Sequence, residues 1–154
     1  MIKFHKIKTD HRNFLHRVKE FFRQTPEIVL AYIFGSYAKD NPQPLSDFDI
    51  AVLIEEIKQE KLGSKRLELL SQIMDILHTD EVDLVMLNYA PLTLQFEIIK
   101  NGKLLYRTGE AKRIEYEIEV VNKFLDTTTI RKEYFRYLRM AIKQGKMREG
   151  YEKY

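Results

Sequence analysis

The chain has no cysteine. That absence excludes disulfides, iron–sulfur clusters, thiolate nucleophiles and cysteine-based zinc sites. Proline is scarce, and all four (Pro26, Pro42, Pro44 and Pro91) stand where one element would give way to the next. Long apolar runs are also missing. The longest, Ile28 to Phe34, has seven residues, against the ~20 that a membrane-spanning helix requires. The first residues, Met1-Ile2-Lys3-Phe4-His5-Lys6, form no continuous apolar stretch, and the expectation is a soluble cytoplasmic protein.

What is present suits a globular fold. Of 154 residues, 44% are hydrophobic and 12% aromatic, enough to build one core, and no repeat or low-complexity tract divides the chain. A single domain over 1–154 is expected, with a core over about 12–107 and a helical extension over about 110–150. The formal charge of +3 is a remainder. Residues 1–24 carry 7 basic and 2 acidic side chains, residues 130–154 carry 8 and 3, and the stretch between them carries 11 and 18. An acidic centre lies between two cationic ends, which argues against reading the net charge as a nucleic-acid footprint.

Hydrophobic periodicity supplies the elements. Phe14, Val18, Phe21 and Phe22 mark a helix over 11–24, and Ile28–Phe34 reads as a strand apolar on both faces. Asp40-Asn41-Pro42-Gln43-Pro44 is turn chemistry, and Phe48 to Ile54 reads as a second strand. Leu62, Leu69, Ile73, Ile76 and Leu77 give a helix over about 58–78, and Val82 to Leu87 a third strand. Pro91 opens a helix that Asn101-Gly102 ends, and Leu104 to Arg107 forms a short strand. Ile114, Ile118, Val121 and Leu125 define another helix, and Ile130 onward the last. The class is α/β or α+β.

Chemistry concentrates between residues 35 and 49. Gly35 ends a buried strand where the backbone must turn and approach a ligand closely, and Ser36 can cap the turn that follows, with amides pointing outward to bind phosphate. Ten residues on, Asp47 and Asp49 are separated by one residue at the start of a strand, so both carboxylates project from one face. Two hard oxygen ligands at that spacing suit Mg²⁺. Asp83 interrupts the apolar run from Val82 to Leu87, where a buried carboxylate needs a partner, and a metal shared with Asp47 and Asp49 would supply one. Three carboxylates can hold two Mg²⁺ ions that clamp an in-line phosphoryl displacement, with Asp83 accepting the acceptor's proton and Gly35 and Ser36 holding a triphosphate. Nucleotidyl transfer is the predicted reaction. His5, His11, His16 and His78 show no metal-ligand spacing and are assigned no role.

Gly-Ser, ten residues, Asp-x-Asp and a later strand Asp resemble the polymerase β-like nucleotidyltransferase superfamily. The wording Gly-Ser-Tyr-Ala…Leu-Ser-Asp-Phe-Asp-Ile is similar to its minimal nucleotidyltransferase (MNT) branch. The resemblance covers roughly residues 12–107. It implies a mixed β-sheet flanked by helices, with C-terminal helices beyond, and ATP and Mg²⁺ in the reaction. It further implies an antitoxin that transfers AMP to a tyrosine of a HEPN-domain ribonuclease toxin. Two other functions stay open: a stoichiometric binding antitoxin without catalysis, and a small-molecule nucleotidyltransferase acting on an aminoglycoside-like alcohol. No separate domain to grip a template is evident, so direct nucleic-acid binding is not expected.

The last helix carries its own pattern. At about 100° per residue, Lys132, Arg136, Arg139 and Lys143 form one stripe, while Ile130, Tyr134, Tyr137 and Ala141 lie opposite. The helix either docks on the domain by its apolar side, or presents a surface to an acidic protein partner or to RNA bound to that partner. Tyr134, Tyr137, Tyr151 and Tyr154 add the aromatic content common in interfaces.

Overall fold

A computed structural model of the chain describes residues 7–39 and 47–145, with side chains described from Asn13 on, Lys39 excepted. The turn sequence Asp40–Pro44 and the tyrosines Tyr151 and Tyr154 lie outside the described residues. The elements in order are α1 (Ile7–Arg23), β1 (Ile28–Phe34), a 3₁₀ turn (Gly35–Lys39), β2 (Phe48–Ile54), α2 (Gln59–Leu77), β3 (Val82–Met86), α3 (Leu92–Asn101), β4 (Lys103–Arg107) and α4 (Glu110–Lys143).

Four strands form one mixed sheet in the order β3-β2-β1-β4. β1 runs antiparallel to both β2 and β4, and β2 runs parallel to β3 through the α2 crossover. The Ile28–Phe34 segment is apolar on both faces because β1 is an interior strand with helices on either side. Ile33, Ile50, Val52 and Leu84 point to one face, where Phe14, Val18 and Phe22 of α1 and Leu69, Ile73 and Leu77 of α2 complete the larger core. Tyr32, Ala51 and Leu87 point to the other face and meet Ile98 of α3, with Tyr116 of α4 packed against them. Strand parity therefore sorts every β2 and β3 side chain onto one layer or the other. Asp49 and Asp83 fall on the α3/α4 side.

The C-terminal region differs from the expected pair of helices. Residues 110–143 form one continuous helix. The Asp126-Thr127-Thr128-Thr129 run does not break it, and the Thr127 and Thr128 hydroxyls each donate back to the Phe124 carbonyl, at 2.8 and 2.9 Å. The buried side also differs from the sequence reading. Ile114, Ile118 and Leu125 are exposed, and the residues that seat the helix are Tyr116, Val120 and Phe124. Tyr32, 2% exposed, donates its hydroxyl to Glu117 at 2.7 Å. Tyr116 donates to Gln95 at 2.8 Å, and Phe124 stacks on Phe96 with ring centroids 3.9 Å apart. Beyond Phe124, Ile130, Tyr134 and Tyr137 are exposed, whereas Ala141 is buried.

Candidate active site

β1 delivers the chain to Gly35, which adopts φ +67 and turns it into the 3₁₀ segment. Left-handed backbone is cheap only for glycine. A second constraint acts at the same position, since a β-carbon on residue 35 would overlap the Asp49 carboxylate. The overlap follows from register: Phe34, the last residue of β1, pairs with Asp49 of β2. Gly35 is exposed at the start of the turn and Ser36 after it is half-buried. Tyr37 is buried and stacks on Phe48 with centroids 4.3 Å apart. That stack pins the turn to the residue between Asp47 and Asp49.

β2 and β3 bring in the third carboxylate. Their parallel pairing places Asp49 opposite Asp83, and like charges directly opposed across strands are unfavourable. Asp47 is exposed just before β2, and Asp49 is half-buried. Burial holds the Asp49 carboxyl above its ordinary range, and the negative charges of Asp83 and then Asp47 push it further the same way. The Tyr37 hydroxyl is likewise raised, first by burial and then by the charges of Asp47 and Glu81. Three carboxylates thus act on one another at one end of the sheet.

Asp83 does not occupy the setting its neighbours suggested. The apolar run around it implied burial, yet its side chain is 56% exposed. β3 is an edge strand, and its buried side chains alternate with Asp83, which faces the layer that α3 and α4 cover only in part. Register, rather than burial, brings Asp83 to the other carboxylates. It also has a protein partner that the sequence did not reveal. Arg66 of α2 donates its Nε–H to the Leu84 carbonyl at 2.8 Å, which leaves a terminal nitrogen 3.7 Å from Asp83 Oδ1. No local spacing signals this contact, because α2 and β3 meet only after the crossover.

Among the described residues, no three His, Asp or Glu side chains converge closely enough to enclose an ion. The donor chemistry nevertheless fits a hard divalent cation. Three carboxylates share one strand end, and Asp49 is held toward its protonated form first by burial and then by the charges of Asp83 and Asp47, which bound positive charge would offset. A concavity of about 450 Å³ elsewhere on the α3/α4 face is lined by residues including Val29, Leu53, Asn88 and Tyr116. It contains none of Gly35, Ser36, Asp47, Asp49 and Asp83.

A mixed sheet with a glycine-serine turn closing on paired aspartates, and a third aspartate on the neighbouring parallel strand, defines a nucleotidyltransferase fold. Residues 16–111 match the model of the family described as polymerase beta, nucleotidyltransferase, and the chain belongs to that family. It is 36% identical over 85 residues to the protein adenylyltransferase MntA of Shewanella oneidensis, an alignment covering 55% of this chain and 58% of that protein. The chain thus spans less than two thirds of the length of the curated relative it matches. Among solved structures, a toxin–antitoxin with AMP-PNP superposes with a TM-score of 0.67 at 25% identity, over 80% of this chain and 97% of that one. A tri-AMPylated Shewanella oneidensis HEPN toxin in complex with its MNT antitoxin gives a TM-score of 0.64 at 23% identity, over 82% and 97%, and shares the fold. Among the described residues, no helix is long and apolar enough to cross a membrane.

Proposed function

We propose that the chain is an MNT-type antitoxin that transfers AMP from ATP to a tyrosine hydroxyl of a HEPN ribonuclease toxin, neutralising it in the cytoplasm. The observation that carries this reading is the placement of Asp49 opposite Asp83, beside a glycine turn that touches Asp49. It is supported by likeness to a curated protein adenylyltransferase and to a toxin–antitoxin structure holding a nonhydrolysable ATP analogue.

In this reading the acceptor oxygen attacks the α-phosphorus of ATP. The new bond joins tyrosine oxygen to phosphorus, the bond to the β-phosphate oxygen breaks, and pyrophosphate leaves. Asp83 takes the hydroxyl proton, a role its exposed carboxylate at the strand mouth suits. Gly35 and Ser36 hold the triphosphate through the turn that opens at the end of β1. Asp47, Asp49 and Asp83 would hold two Mg²⁺ ions, which neutralise phosphate charge and lower the acceptor's pKa when bound. Arg66 steadies the Asp83 side chain through its anchor on Leu84.

The test is incubation with Mg-ATP and a HEPN-domain protein from the same organism, followed by intact-mass measurement of that protein. Addition of AMP, lost in the Asp47→Ala plus Asp49→Ala double variant, is the expected result. Neutralisation that survives the double variant, with no AMP added by wild type, would replace the enzymatic reading with a stoichiometric binding antitoxin.

A further inference from the structure

α4 is far longer than the body it packs on. Its 34 residues span roughly 51 Å at 1.5 Å per residue, against ten residues in α3. The helix leaves the sheet beside Val29, whose carbonyl accepts the Thr108 N–H, and reaches the Tyr32 hydroxyl at Glu117. Glu119, Val120 and Lys123 then line a concavity with Leu53, Asn88 and Leu92, so the first half lies beside the end of β2 and β3 that is away from Gly35. Neither proline nor glycine interrupts residues 110–143, so its faces continue without a kink.

The face that seats the first half is the face left open in the second. At 100° per residue, Tyr116, Glu117, Val120 and Phe124 occupy the same sector as Tyr134, Phe135, Leu138 and Ile142. The first group meets the domain, whereas Tyr134, Phe135 and Ile142 are 58%, 54% and 62% exposed, with Leu138 half-buried and Ala141 buried between them. Ile130 and Tyr137, at 69% and 66% exposed, border the same sector. Lys132, Arg136, Arg139 and Lys143 form the opposite edge and line one shallow groove along the helix with Met140 and with Glu133, which pairs with Arg136 at 3.0 Å.

We propose that residues 127–143 of α4 dock a protein whose apolar surface is rimmed by carboxylates, and that this protein is the acceptor of AMP; the second clause rests on the function proposed above. The orientation selects a protein over a lipid surface. The open sector faces the same way as the domain's own body, so a flat bilayer would meet the domain first, whereas a partner can enter the angle between overhang and body. The charge selects an acidic partner over a second copy. Residues 130–143 hold five basic side chains and one acidic, and pairing two such segments would oppose like charges.

The experiment titrates the chain with a HEPN-domain protein from the same organism, by calorimetry, and measures AMP addition on the same samples by intact mass. The variants are Tyr134→Ser plus Tyr137→Ser, Arg136→Glu plus Arg139→Glu, and Asp47→Ala plus Asp49→Ala. Both α4 pairs are expected to weaken binding at least tenfold with unchanged thermal unfolding, and the arginine pair to flatten its salt dependence. The aspartate pair is expected to bind like wild type. Binding by both α4 pairs within twofold of wild type overturns the docking surface even if AMP is transferred. Weakened binding by the α4 pairs without AMP transfer by wild type keeps the docking surface and removes the catalytic reading. A wild-type dimer in sedimentation that the tyrosine pair dissociates, with partner binding intact, assigns the face to a second copy and overturns the proposal. So does loss of binding only to phosphatidylserine vesicles.

Discussion

Gly35 and Asp49 touch. The last pair of the β1/β2 ladder, Phe34 with Asp49, sets the carboxylate where a side chain on residue 35 would stand, and the same glycine adopts φ +67. Conformation and contact thus require the same residue, and Gly35→Ala separates them. It should destabilise the fold by about 1–3 kcal/mol and abolish AMP transfer. In an Asp49→Ala background the overlap is gone and only the backbone cost should remain, a difference that urea unfolding of the four-member cycle reads directly.

Asp49→Asn should trade activity for stability. The folded Asp49 carboxyl is raised above its ordinary 3.8, by burial and then by Asp83 and Asp47. Its contribution is therefore full below the unfolded value and is lost as pH rises through the folded one. The amide removes that loss. At pH 7 the variant should unfold at higher denaturant, by about 0.5–1 kcal/mol, while at pH 3 the two proteins should converge. A variant less stable than wild type at pH 7 would contradict the opposed-charge account.

The seat of α4 depends on the hydroxyl of Tyr32. Tyr32→Phe should cost about 0.5–1.5 kcal/mol, while Glu117→Leu, which leaves a buried hydroxyl without its acceptor and deprives Arg113 of one, should cost about 1–3 kcal/mol. Hydrogen exchange should show the added opening in residues 110–124 before the β1/β2 ladder. Uniform loss of protection across the sheet would argue that α4 is not separately held.

Two glycines should respond in opposite directions. At Gly102 a β-carbon would lie 2.5 Å from the Ile98 carbonyl and 3.1 Å from that of Ile33, both backbone atoms. Gly102→Ala should destabilise by about 1–3 kcal/mol. Gly63, inside α2, has nothing within 4 Å of that position, so Gly63→Ala should stabilise by about 0.5–1 kcal/mol. Thermal unfolding of the two variants checks both signs.

The sequence made the strands and the turn legible because their signals are local. Ile28–Phe34 is apolar throughout because both its faces are covered, and the Gly35-Ser36…Asp47-x-Asp49 spacing states its own geometry once the two strands are seen to pair. Asp83 was legible as a member of the set but not in its setting, since its exposure depends on which sheet edge the helices leave open. The contact between Arg66 and Asp83, and that between Tyr32 and Glu117, join residues 17 and 85 positions apart, beyond any periodicity. For α4, apolar spacing identified a helix and misassigned its inner side. Ile114, Ile118 and Leu125 repeat as regularly as Tyr116, Val120 and Phe124, and only the position of α3 decides between them.

The hydrogen bond from Tyr32 to Glu117 has a mechanical consequence. It fastens the seated half of a 34-residue helix to an interior strand of the sheet. Lifting α4 off the sheet therefore means breaking a bond made inside the domain rather than one at its surface.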